Sequence, residues 1–341
     1  MTDFDFAELD ALNRKQNFSG AYMVFDRHDI LHSGAAGVAD YTTGAPFTLD
    51  TVSALGSTSK QFTATLVLRL VASGKLALDA PLAKYLPEYS HAAEVTMRQL
   101  LNMDSGVPDY TDILADQVQK QWADALNDES LGVVMNQVAS DDYNFAELLA
   151  LINGRPLDFT PGSKFAYSNT NYMLLSYVIA RIVGQPFAQV LTETLLQPLG
   201  LDSARVGTQY SEANGYVLAS GQPHALGRGR HLTGDGELVM NVRDLARWGQ
   251  AVLNGQTLPP EQLQLSFDLV HGAYGMGWMH RGHIYQHGGH ILGYWAGIYL
   301  DIEHKWGSVW LFNTAQKSLT PDATWHKQVF KWHEREAVKR N

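Results

Sequence analysis

The chain has 341 residues, 45% of them hydrophobic and 18% charged, with a formal net charge of −10. That composition belongs to a globular protein with room for a large core and two lobes. There is no cysteine, which excludes disulfides, thiol nucleophiles and cysteine metal sites, and the acidic balance argues against nucleic-acid and anionic-membrane partners.

The N-terminus, Met1-Thr2-Asp3-Phe4-Asp5-Phe6, is acidic where a signal peptide is basic. No apolar segment follows it, and no later run approaches the roughly 18 apolar residues of a membrane span, so the chain is expected to be soluble and cytoplasmic. Asp3 is placed to cap a short helix carrying Phe4, Phe6, Leu9 and Leu12. Residues 20–25 and 30–38 read as two strands around the polar turn Asp26-Arg27-His28-Asp29. After Ser57 the period changes: Phe62, Leu66 and Leu70 recur every four residues and Gly74 closes a buried helix.

From about 80 to 204 the signals are helical and loop-like. A short helix at 96–101 is followed by stripes at Phe145, Leu148, Leu149 and Ile152, and at Tyr172, Leu175, Ile179 and Ile182. Gly154 and Gly184 stop those two stripes. Residues 205–236 read as irregular. Asn241 caps a helix through Val242, Leu245 and Val252. The C-terminal quarter is β-prone at 274–280, 284–288, 294–301 and 306–313, with hairpin turns at Arg281-Gly282 and Glu303-His304-Lys305. A final helix is expected over about 321–338. Its lysines and arginines (Lys327, Lys331, Arg335, Lys339, Arg340) alternate with Glu334 and Glu336, the pattern of a solvated face. The expected fold is α/β of the α+β type: a mainly antiparallel sheet flanked by helices, with an inserted all-helical domain. Residues 1–80 and 205–341 are assigned to a discontinuous sheet domain and 81–204 to the helical domain, with the site in the cleft between them.

Ser57-Thr58-Ser59-Lys60 fits S-x-x-K, a pattern that arises by chance about once in a chain of this length. Its position is more telling, because a loop enters an apolar helix there. Ser57 and Lys60 are then one turn apart on one face, and the helix N-terminus supplies free N–H groups that favour an anion at the serine. On this motif alone, a capping serine and a solvated lysine would be the better reading. Tyr167-Ser168-Asn169 follows Pro161-Gly162 at a second helix entrance and can aim a proton acceptor and an amide into one cleft. His287-Gly288-Gly289 lies on a β segment, where paired glycines let a substrate approach the backbone.

The ordered set Ser57-x-x-Lys60, Tyr167-x-Asn169 and His287-x-Gly289 resembles the serine β-lactamase-like superfamily of the penicillin-binding-protein fold. Its branch of class C β-lactamases, family VIII carboxylesterases and D-aminopeptidases is the most similar, over roughly residues 18–315. Supporting stretches include Leu78-Asp79-Ala80-Pro81-Leu82, Gly234-Asp235-Gly236 and Asp244-Leu245-Ala246-Arg247-Trp248. The resemblance implies that Ser57 attacks a carbonyl carbon and that Lys60 accepts or relays the proton. Tyr167 protonates the leaving group and activates the deacylating water; whether Lys60 or Tyr167 is the base stays open. By the same resemblance, the backbone N–H groups of Ser57 and His290 are expected to form the oxyanion hole. Asn169 is expected to bind a substrate amide or orient Lys60, and His287, Gly288 and Gly289 are expected to line the substrate.

Three residues depart from the family pattern. His287 stands where most relatives carry the lysine of Lys-Thr/Ser-Gly. A shorter, mostly neutral side chain weakens carboxylate recognition and moves the expectation from β-lactams to esters and amides. Met103 replaces a common histidine and is expected to affect packing only. Glu237 replaces a glycine, and nothing in the sequence explains it. The expectation is therefore a serine hydrolase of small esters or amides, with no cofactor and a small-molecule substrate. Alternatives are a D-aminopeptidase, DD-peptidase or weak β-lactamase, and, from another class, a non-catalytic binding or sensor protein. A metal site at His280, His283, His287 and His290 is disfavoured, since no carboxylate lies within that cluster. Tyr110, Tyr143, Tyr274, Tyr294 and Trp295 are candidates for pocket or core.

Overall fold

A computed structural model describes residues 6–15, 19–122, 130, 134, 143–219, 222–228, 234–272, 274–315, 331, 332 and 335. Its frame is a six-stranded antiparallel sheet made from the two ends of the chain. Strands β1 (Gly20–Asp26) and β2 (Ile30–Ala36) come from the N-terminal part. The C-terminal part adds β3 (Met279–Arg281), β4 (Ile284–Ile291), β5 (Tyr294–Asp301) and β6 (Trp306–Phe312). The order is β3-β4-β5-β6-β1-β2, so β1 pairs with β6 in a register running from Gly20 opposite Phe312 to Asp26 opposite Trp306.

Alternation along these strands gives the sheet two apolar faces. Ala21, Met23, Phe25, Ile298, Val309 and Leu311 enter the main core; Tyr22, Val24, Tyr299, Trp306 and Trp310 enter a second cluster with Leu9 and Trp332. Leu9 lies on helix α1 (Phe6–Lys15), the helix expected at the N-terminus, whereas Phe4 and most of the expected 321–338 helix lie outside the described residues.

Helix α2 (Lys60–Ala72) is buried nearly all round, from Lys60 through Leu68. It packs beside α6 (Asn169–Val183) and, through Phe62, against α8 (Val242–Leu253), the helix that lies on β1 and β6. Asn241 caps α8 as the sequence suggests, its side chain accepting from Asp244 N at 2.9 Å. Gly249 lets α8 approach the sheet, since a methyl group there would lie 2.4 Å from the Phe25 ring. Phe62 stacks on Trp248 with centroids 4.0 Å apart, locking α2 to α8.

Between the sheet segments run α3 (Met97–Leu101), α4 (Tyr110–Trp122), α5 (Phe145–Ile152), α6 and α7 (Phe187–Leu191), and α9 (Pro260–Phe267) precedes β3. Thr96 and Asn144 each close a capping box, with Gln99 and Glu147 respectively. The mixed architecture is the expected one, with two local differences. The 205–236 stretch, expected to be irregular, holds a hairpin of Tyr216–Ala219 with Gln222–Ala225. The strand expected over 274–280 begins only at Met279, because the preceding residues leave the sheet to cross α2. Gly277, at φ +84°, passes so close that a Cβ would be 3.2 Å from the Lys60 carbonyl oxygen. No single helix among the described residues is long and apolar enough to cross a membrane.

Candidate active site

Ser57 sits in a 3-10 turn, Gly56–Ser59, that runs directly into α2. Gly56 adopts φ +52°, and a Cβ on it would fall 2.6 Å from the backbone nitrogen of His290. Only glycine lets this turn meet β4 so closely. The three-residue spacing brings Lys60 Nζ to 2.9 Å from Ser57 Oγ. Lys60 is fully buried and also donates to Asn169 Oδ1 at 2.7 Å and to the Asp235 carbonyl at 2.6 Å. Its amine is thus ringed by three oxygens. An ammonium satisfies all three; an amine satisfies Asn169 and Asp235 with N–H bonds and turns its lone pair to the Ser57 hydroxyl.

Asn169, the first residue of α6, is itself held. Its Nδ2 donates to Asp109 Oδ2 at 2.9 Å and to Thr111 Oγ1 at 3.2 Å, and its backbone N–H donates to Asp109 Oδ2 at 3.0 Å. A carboxylate accepts only, so the NH2 end must face Asp109 and the carbonyl end must face Lys60. Of the two roles expected for Asn169, its amide is in position for orienting Lys60.

Tyr167 precedes this helix by two residues, its ring centroid 5.0 Å from Lys60 Nζ. It meets Tyr274 edge-on at 6.0 Å and lies 6.4 Å from the His287 ring. Its hydroxyl oxygen is buried and makes no hydrogen bond among the described residues, whereas buried hydroxyls usually find a partner. Met103 anchors the loop. It is buried at φ +59°; its thioether accepts the Ser168 N–H at 3.4 Å and Asn171 Nδ2 at 3.4 Å, and its carbonyl accepts the Ala166 N–H at 2.9 Å. The expectation that Met103 affects packing only misses these bonds.

On the opposite wall, β3 ends before β4 does, which leaves the 287–290 edge facing the Ser57 turn. A methyl group on Gly289 would lie 1.8 Å from the Leu55 carbonyl and 2.8 Å from both Ser57 N and Thr58 N. The backbones of Ser57 and His290 therefore converge at one junction, the arrangement a pair of oxyanion donors needs.

His287 differs from the expectation of a direct substrate contact. It is buried, with Nδ1 2.6 Å from the Gly288 carbonyl and Nε2 2.8 Å from the Tyr274 hydroxyl. The carbonyl can only accept, so Nδ1 carries the proton and Nε2 accepts from Tyr274. Burial, and secondarily the charge of Lys60, lower the imidazole to about 3. A neutral ring with both nitrogens engaged has no donor left for a substrate carboxylate. Two other histidines of that stretch part ways: His290 packs at a tilt on Trp295 at 4.3 Å, and His280 packs on Tyr285 at 4.9 Å. Tyr110, Tyr274 and Tyr294 are buried.

Sequence reasoning missed Asp109, and it placed Asp235 only as part of a supporting stretch. The Asp235 carbonyl receives Lys60 and its carboxylate accepts from the Tyr110 hydroxyl at 2.8 Å. Behind it lies Glu237, buried, accepting N–H bonds from Gly234 at 2.7 Å and Gly236 at 3.0 Å. Burial and the nearby Asp235 carboxylate outweigh those two donors and raise the Glu237 carboxyl to about 7. The side chain that had no explanation in the sequence thus ties down the loop whose carbonyl holds Lys60.

Residues 6–329 match the Beta-lactamase family. The chain belongs to that family. It is 33% identical over 224 residues to esterase EstB of Burkholderia gladioli, covering 64% of this chain and 54% of EstB. To D-aminopeptidase of Brucella anthropi it is 28% identical over 263 residues, covering 74% of this chain and 46% of that protein. The chain thus spans about half the length of these curated relatives. Among solved structures, a D-stereospecific amidohydrolase from Streptomyces sp. superposes with a TM-score of 0.74 at 26% identity, covering 89% of this chain and 94% of that one. These Beta-lactamase family relatives are hydrolases, and the fold is that of the β-lactamase and penicillin-binding proteins.

Proposed function

We propose that this protein is a serine hydrolase that cleaves small esters or amides through an acyl-enzyme on Ser57. The observation that carries the reading is Lys60 Nζ, 2.9 Å from Ser57 Oγ and held from behind by Asn169 and the Asp235 carbonyl. In acylation, Ser57 Oγ forms a bond to the substrate carbonyl carbon as its proton passes to Lys60. The tetrahedral oxyanion sits between the N–H groups of Ser57 and His290 and collapses as the leaving alkoxide or amine takes a proton through Tyr167. In deacylation, water attacks the acyl carbon, its proton moves to the Tyr167–Lys60 pair, and Ser57 Oγ leaves with a proton. Tyr167 has a buried hydroxyl without a hydrogen-bond partner among the described residues, as a group that serves substrate and water would.

The engaged, neutral His287 supports esters or amides over substrates recognised by an anionic carboxylate. The similarity to an esterase and to a D-stereospecific amidohydrolase supports the same two bond types. The deciding experiment is a turnover panel of short-chain p-nitrophenyl esters, D-aminoacyl amides and a chromogenic cephalosporin, run with Ser57→Ala beside the unaltered chain. Turnover of esters or amides that disappears in Ser57→Ala supports the reading; unchanged turnover in that variant ends it.

A further inference from the structure

Away from the catalytic cleft, the sheet register brings together three donors that the sequence keeps apart. His283 lies in the β3–β4 turn, Asp301 ends β5 opposite Ile284, and His304 lies in the β5–β6 turn. One nitrogen from each histidine and one carboxylate oxygen all fall within 4.8 Å of one another. We infer that these three side chains form a binding site for a borderline transition-metal dication such as Zn2+, stapling the two hairpin turns at this end of the sheet.

The donor geometry supports an ion. His283 Nε2 is 3.6 Å from Asp301 Oδ2, too far for a hydrogen bond, and that buried nitrogen has no hydrogen-bond partner among the described residues. Two donors on one tetrahedral zinc, each about 2.0–2.1 Å from it, are about 3.3 Å apart. His304 Nδ1 stands 2.8 Å from the same oxygen, so half an ångström of spreading admits an ion between them. The orientation is already set: Asp301 is fully buried, and its other oxygen accepts the His304 backbone N–H at 2.9 Å. That leaves Oδ2 aimed at the two rings, the supporting bond a ligating carboxylate usually has. The rings themselves meet edge-to-face with centroids 5.6 Å apart.

Two imidazoles and one carboxylate select zinc, cobalt, nickel or copper over magnesium and calcium, which prefer all-oxygen shells. The His283 side chain is 36% exposed, although its Nε2 faces inward, so an ion can reach the three donors past this ring. On binding, His304 must present the Nδ1 lone pair. The proton it now donates to Asp301 moves to Nε2, or leaves if the ring was doubly protonated. Five residues of strand separate Asp301 from Ala296, the partner of Gly289, about 17 Å along the sheet. The site therefore stands apart from Ser57 and its chemistry.

The test is calorimetric titration of the chelator-treated full chain with Zn2+, with Mg2+ as comparison, repeated on His283→Ala and His304→Ala. The visible spectrum of the Co2+ form reports coordination directly. The expected result is one zinc per chain, a tetrahedral cobalt spectrum and a thermal midpoint raised by zinc. Each alanine variant should lower affinity roughly 100-fold, and Mg2+ should not compete. Absence of zinc binding by the folded chain, or equal affinity in His283→Ala, overturns the inference and leaves His304 and Asp301 as a hydrogen-bonded turn. Ester turnover plays no part in either outcome.

Discussion

Gly289 and Ser57 meet backbone to backbone: a methyl group on Gly289 would sit 2.8 Å from Ser57 N. The adjacent Gly288 is different, since a methyl there meets nothing closer than 3.9 Å. The two glycines, which look equivalent in the sequence, predict opposite outcomes. Gly289→Ala must push β4 from the Ser57 turn by more than an ångström to relieve the 1.8 Å approach to the Leu55 carbonyl, and a displacement of that order costs about 10²-fold in turnover. Gly288→Ala should keep the thermal midpoint of the unaltered chain. Thermal denaturation and ester turnover of both variants check this; a fully active Gly289→Ala would show that the junction is not where the oxyanion binds.

Lys60 and Tyr167 are the only acid–base groups placed at Ser57 in the proposed mechanism. Lys60→Ala and Tyr167→Phe should each lower kcat on the order of 10²-fold or more. A fluorophosphonate should still add to Ser57 in Tyr167→Phe, more slowly, and intact-mass spectrometry would follow the adduct. No adduct on the unaltered, folded chain would favour the binding-protein alternative.

Asp109 faces Asn169 rather than the serine. Asp109→Ala frees the Asn169 amide to rotate and deprives Lys60 of a fixed acceptor. The expected result is kcat and kcat/KM falling together by roughly 10-fold, the signature of a lost transition-state arrangement rather than lost substrate binding. A rise in KM alone would place Asp109 against the substrate instead.

His287 makes stability depend on pH. Its folded value, about 3, lies below the ordinary histidine value of 6.5. Between those limits the unfolded chain binds a proton that the folded chain refuses, so stability falls as pH drops from 6.5 toward 3. His287→Gln has no such proton to refuse and should show a shallower acid limb in denaturant unfolding. Parallel limbs would mean that the ring is protonated where it lies.

Glu237 acts in the opposite direction. Its carboxyl is raised from 4.5 to about 7, so between those values the folded chain holds the extra proton. Stability therefore falls as pH rises through that window. Glu237→Gln removes the dependence while losing one acceptor to the Gly234 and Gly236 N–H groups at every pH. The stability advantage of the unaltered chain over Glu237→Gln should shrink between about pH 5 and 8; a constant difference would mean that Glu237 is ionised throughout.

What the sequence made legible was local. Ser57 and Lys60 are three apart at a helix entrance, Tyr167 and Asn169 two apart at another, and each pair needs only its own backbone to be aligned. Most of the main sheet was readable too, because the runs at 20–25, 294–301 and 306–313 are β-prone whatever their neighbours; the alternation of faces within Ala21-Tyr22-Met23-Val24-Phe25, an unbroken apolar run, emerges only from the fold. The hidden part is what other segments supply. The carbonyl of Asp235 carries no residue-type signal, and Tyr274 reaches His287 only because residues 274–278 leave the sheet. Asp301 joins His283 through strand register alone. Glu237 looked like an unexplained substitution until the two glycine N–H groups it binds were placed around it.

The pairing of β1 with β6 joins Gly20 to Phe312, which has a consequence for how the protein is made. A ribosome adding about 5–20 residues per second releases the β1–β2 hairpin tens of seconds before β6 exists. Throughout that interval the hairpin carries apolar residues on both faces, and the β1 edge that β6 will cover is open beside the outer edge of β2; such edges invite pairing with other chains. Translation speed and access to a holding chaperone should therefore govern the yield of active protein more strongly than the stability of the finished fold.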